Sequence, residues 1–87
     1  MHEASLMNDL MRKIEDVARQ QNTRQVLGIN VSLGALSNMS AGHFREHFAV
    51  ASQGTVAEGA KLNIKVLTDV NDSHAQDILL ESVEVAE

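Results

Sequence analysis

The apolar residues of this chain change their spacing after the first quarter, and that change most narrows what it can fold into. From Ser5 to Gln21, Met7, Leu10, Met11, Ile14, Val17 and Ala18 recur at the spacing of one helix face, the stripe of an amphipathic helix. Asn8, Asp9, Arg12, Glu15, Asp16 and Arg19 take the other side, with Arg12 placed to pair with Asp16 one turn on. After the turn Gln21-Asn22-Thr23 the period drops to two. Leu27, Ile29, Val31 and Leu33 alternate with Val26, Gly28, Asn30 and Ser32, which predicts a half-buried strand with the first set inward.

The remainder repeats the two patterns. Gly34 and the polar run Ser37 to Ser40 close the strand, and Ser37, Asn38 or Ser40 can cap a second helix. Its apolar positions are Ala41, Phe44, Phe48 and Ala51, and Gln53-Gly54 stops it. Thr55 to Gly59 is long enough only for a turn. Ala60, Leu62, Ile64 and Val66 then alternate with Lys61, Asn63 and Lys65 in a second strand, and Thr68 to Gln76 is a polar loop. A third strand, Asp77 to Val85, carries a fault: Ile78 and Leu80 share one parity, Val83 and Val85 the other. One extra residue near Glu81-Ser82, a β-bulge, returns all four to the core side. The order helix-strand-helix-strand-strand predicts an α/β two-layer sandwich, two helices packed on one face of a small three-stranded mixed sheet. The stretch between the first two strands is long enough for a crossover, and strands two and three are expected as antiparallel neighbours across their loop.

Size and charge exclude several function classes. Eighty-seven residues make a single domain, 1–87. The formal charge of −5 argues against nucleic acid, which is held mainly by Lys and Arg on phosphates. No apolar run approaches a membrane span, and the start lacks the charged and apolar regions of a signal peptide. The chain has no cysteine, so thiolate catalysis, disulfides and cysteine-based zinc are absent. A soluble cytoplasmic protein is the expectation, with no membrane and no nucleic-acid partner.

Two places carry metal chemistry. At the amino terminus, Met1-His2-Glu3 puts an imidazole directly behind the α-amine. The amine of Met1, the deprotonated backbone nitrogens of His2 and Glu3 and the His2 imidazole can close chelate rings around one ion. Such a nearly planar nitrogen set suits Ni(II) or Cu(II). Glu3 has a second explanation, since a carboxylate at a helix start meets the positive end of the dipole. Further on, His43-Phe44-Arg45-Glu46-His47 matches H-x-x-E-H, a string of certain zinc metalloproteases. Histidines four apart share a helix face and can be bridged by a metal. Those proteases need a third protein ligand and a substrate cleft, which a chain this small is not expected to supply, and Phe44 and Phe48 already explain the amphipathic pattern, so an enzyme is not expected. His74 belongs to the polar loop and is expected in solvent. No G-x-G-x-x-G, G-x-x-x-x-G-K or G-x-S-x-G occurs.

Taken together, several stretches resemble the HypA/HybF family of nickel metallochaperones of [NiFe]-hydrogenase maturation. They are Met1-His2-Glu3-Ala4-Ser5-Leu6 leading into a long helix, Leu33-Gly34-Ala35-Leu36-Ser37, Phe48 through Gly54-Thr55-Val56-Ala57-Glu58-Gly59-Ala60-Lys61-Leu62-Asn63-Ile64, and Leu80-Glu81-Ser82-Val83-Glu84-Val85. The resemblance implies nickel coordination through Met1, His2 and Glu3. It also implies delivery to a hydrogenase large subunit together with a nickel-maturation GTPase. Members of that family carry a zinc subdomain with two cysteine pairs between the second and third strands. Here only the loop 68–76 stands in its place, so Ni(2+) is expected and zinc is not. The alternative expectation is a metal-free docking module of the same fold, binding a large subunit or a maturation factor.

Overall fold

The computed structural model describes residues 3–86, with side chains from Ser5 onward. Helix α1 spans Glu3–Gln20, strand β1 Val26–Leu33, helix α2 Ala41–Ala51, strand β2 Lys61–Val66 and strand β3 Ile78–Val85. The predicted order and layering hold: α1 lies over β3, α2 over β2, and the helices touch each other.

The stripe read in α1 is the face it buries. Met7, Leu10, Met11, Ile14 and Ala18 all lie in the core, and Val17 is half-buried. The surface pairing differs from the expectation. Arg12 meets Asp9 at 3.6 Å, one turn back, and Asp16 is taken by Arg19 at 3.0 Å. The exposed Arg12 has carboxylates on both sides, so small differences in rotamer energy decide the partner. The helix ends at Gln20, and two residues beyond it Asn22 adopts φ +53°, a left-handed turn that Asn tolerates just past a helix C-terminus.

Helix α2 is started by Ser40, whose hydroxyl accepts from the backbone N–H of His43 at 3.1 Å. Of the three possible caps, only Ser40 stands at the boundary. Phe44 and Phe48 point inward, their ring centres 6.3 Å apart. Ser52 ends the helix, and Gly54 takes φ +76° just beyond it, the conformation glycine supplies without strain.

The sheet order is β2-β1-β3. β1 runs parallel to β2, with Ile29 opposite Leu62 and Val31 opposite Ile64, and antiparallel to β3. The expected pairing of β2 with β3 is therefore wrong: β1 lies between them. β1 is the most apolar strand, buried at Val26, Ile29, Val31 and Leu33 and also at Gly28 and Ser32. In the centre it pairs both edges. β2 and β3, with Lys61, Lys65, Glu81 and Glu84, form the charged edges that discourage further strand addition. The connection after β2 crosses the end of β1 to reach the far side. Leu67 donates to the Leu33 carbonyl, Gly34 to Asp77, and Leu36 to Ala75.

Two register shifts set which residues face the helices. On β3, Asn30 is opposite Ser82 while Val31 is opposite Leu80, so Glu81 is the extra residue. This is the bulge expected from the parity fault, and it carries Val83 and Val85 to the core side, where both are half-buried. On β1, Val26 is opposite Val85 and Gly28 opposite Glu84, so Leu27 is the extra residue. Simple alternation had placed Leu27 inward and Val26 outward. The bulge reverses them, leaving Val26 1% exposed and Leu27 48%. Val66, also assigned to the inner face, is 55% exposed because it ends an edge strand beyond the reach of α2.

Candidate metal centre

Of the amino-terminal trio, Met1 and His2 lie outside the described residues, as does the side chain of Glu3. The backbone of Glu3 opens α1. That helix is held by five core side chains beginning at Met7, so the fold fixes where the helix starts and in which direction it leads. By helix geometry the first four N–H groups have no intrahelical acceptor, which leaves the amide nitrogen at Glu3 open to other chemistry.

The second metal-bearing stretch is fully described. His43 and His47 stand exposed on the outer side of α2, one turn apart, because Phe44 and Phe48 anchor the opposite side in the core. Their ring centres are 4.5 Å apart and the planes are inclined by 34°. The shared face read from the spacing is thus present. His47 also borders a shallow depression between the helices, lined by Met7 and Asn8 of α1 and by Glu46, Val50 and Ala51 of α2. Met7 is one helical turn from Glu3. The histidine-bearing side of α2 therefore abuts the first turns of α1.

Asn8 and Glu46 at that depression did not emerge from the sequence. Asn8 read as part of the solvated face and Glu46 as the middle of a motif, and nothing in either pattern says that the two helices meet there. Among the described residues, no group of three or more His, Cys, Asp or Glu side chains is placed to hold a metal. His74 is exposed, as expected, and its Nδ1 lies 2.9 Å from Oδ2 of Asp77, within the loop that leads into β3. No helix among the described residues is long and apolar enough to cross a membrane.

Comparison with known proteins gives one consistent result. The family described as "Hydrogenase/urease nickel incorporation, metallochaperone, hypA" matches residues 1–72. The hydrogenase maturation factor HypA of Acidithiobacillus ferrooxidans is 39% identical over 64 residues, covering 74% of this chain and 57% of the relative. HypA of Aquifex aeolicus is 38% identical over 66 residues, covering 76% of this chain and 57% of its own length. The chain thus spans little more than half the length of these curated relatives. In fold, it is similar to the solution structure of the nickel metallochaperone HypA from Helicobacter pylori, with a TM-score of 0.78 at 18% identity, covering 98% of this chain and 97% of that one. With the greater part of its length matched, from Met1 through the second strand, this chain belongs to the HypA family.

Proposed function

We propose that this protein is a non-enzymatic nickel-binding accessory factor of [NiFe]-hydrogenase maturation, one that binds Ni(2+) at its amino terminus and helps insert it into a hydrogenase large subunit. The observation that carries the reading is the family match, which includes the Met1-His2-Glu3 opening. The working place is the cytoplasm, and the partners are the large subunit and a nickel-maturation GTPase.

The chemistry follows from the donor set. The Met1 amine, the His2 imidazole and the backbone nitrogens of His2 and Glu3 offer nickel a compact planar shell, provided that Met1 carries the free terminus. Each coordinating amide must lose a proton and the imidazole must be neutral, so protons compete with the ion. That competition makes release possible when a recipient offers better ligands. Glu3 contributes its backbone nitrogen and, through its carboxylate, favours the helix start. The loop 68–76 replaces the zinc subdomain by joining β2 to β3 directly past the end of β1. Structural zinc then has no part in folding or delivery.

A second reading is favoured by the short cysteine-free connection between β2 and β3: a docking module that binds a large subunit or maturation factor without metal. Complementation separates the two. Expressed in a hydrogenase-producing cell lacking its own HypA, the native chain should raise nickel incorporation and hydrogenase activity, and His2→Ala should not. Equal rescue by both would favour the docking module.

A further inference from the structure

We infer that His43 and His47 form a second metal site, a two-histidine chelate on α2 for a borderline divalent ion such as Ni(2+) or Zn(2+), independent of the amino-terminal set. Imidazole nitrogen is a ligand that suits both ions. An ion about 2.1 Å from one nitrogen of each ring sets the ring centres about 4.5 Å apart when the two bonds meet near the right angle that Ni(2+) favours, and about 5.3 Å apart at the tetrahedral angle of zinc. The rings stand at 4.5 Å, inclined by 34°, a separation from which rotation about side-chain bonds can turn one nitrogen of each toward a shared ion. Phe44 and Phe48 are buried on the other side and lock the rotation of α2 about its axis, which keeps both imidazoles facing outward.

Among the described residues no third His, Asp or Glu completes a cage. Glu46 and Asn8 line the depression that His47 borders. Because that depression reaches the second turn of α1, the site lies on the side of the molecule toward which α1 begins. An ion held there is a local reserve of metal beside the helix start.

The two sites differ in a way that thermodynamics can read. The amino-terminal set is made by adjacent residues and forms equally in folded and unfolded chains, so its metal adds little stability. The chelate on α2 exists only while the helix is folded, so its metal stabilises the fold by mass action. The experiment is a thermal melt of the His2→Ala protein with NiCl2 or ZnCl2. At about five times the dissociation constant, Tm should rise by about 4–8 °C. The rise should vanish in His2→Ala with either His43→Ala or His47→Ala, and persist with His74→Ala. Both histidines are exposed, and alanine is the better helix former, so the variants fold; the metal-free circular dichroism spectrum checks this. A rise that survives loss of either histidine, or no rise at millimolar metal, overturns the proposal without touching the amino-terminal reading.

Discussion

Gly34 lies against Ala75 so closely that a β-carbon on Gly34 would stand 2.2 Å from the Ala75 carbonyl oxygen. That same oxygen accepts from the Leu36 N–H at 2.7 Å, and Gly34 itself donates to Asp77 at 2.9 Å. The end of β1 and the loop that returns the chain to β3 are thus joined backbone to backbone, with no room for a side chain between them.

Gly34→Ala should therefore destabilise the domain by about 2 kcal/mol or more, since the obstructing atoms are main chain and cannot rotate away. Gly42→Ala is the contrast. A β-carbon there meets nothing, and in this first turn of α2 alanine should stabilise by up to about 0.5 kcal/mol over glycine. Chemical denaturation of the two variants should move the midpoint in opposite directions.

The bulge at Leu27 makes a prediction opposite to simple alternation. Leu27→Thr should change stability by no more than about 0.5 kcal/mol, as an exposed substitution. Val26→Thr buries a hydroxyl in an apolar site and should cost about 1–3 kcal/mol. If Leu27 proved the more costly position in urea unfolding, the register of β1 against β3 would be wrong.

Phe44 is 0% exposed and one of only two aromatic residues in the chain. Phe44→Ala should cost about 3–5 kcal/mol through lost burial and the cavity it leaves. In a domain this small that is most of the available stability, so circular dichroism at 37 °C should show a largely unfolded population. Phe48→Leu keeps most of the volume and should remain folded.

The buried cluster joins both helices to all three strands through apolar side chains, and a core of this kind predicts a fold that stands without a metal. In metal-free buffer, adding EDTA should leave Tm within about a degree, unlike a domain folded by its ion. A fall of many degrees on chelation would show a structural metal.

Much of this arrangement was legible in the chain. The stripe of α1 and the parity fault of β3 each carried a redundant signal, several apolar residues agreeing on one face, and each was read correctly down to the bulge at Glu81. Leu27 was not, because a bulge near a strand end leaves Val26 alone as a witness, and one valine cannot outvote the alternation of Ile29, Val31 and Leu33. The sheet order escaped for another reason. Strand pairing is fixed by which strand best fills the centre, a comparison among strands that no single stretch contains, whereas the short loop suggested the wrong neighbours. The same applies to Met39, Ala57 and Ala75, which are buried although they lie in turns and loops without periodicity. At the candidate sites, the facing of His43 and His47 followed from spacing alone, but their nearness to Asn8 depends on helix packing. The amino-terminal ligands rest on chemistry and family membership.

The central claim is nickel at the amino terminus, and calorimetric titration of Ni(2+) into tag-free protein tests it most directly. The native protein should show a tight step near one equivalent that disappears in His2→Ala and in a protein extended at its amino terminus, survives His43→Ala with His47→Ala, weakens with Glu3→Ala, and falls steeply below the reference histidine pKa of about 6.5. If the extended or His2→Ala protein binds nickel as tightly as the native chain, the amino-terminal assignment is contradicted.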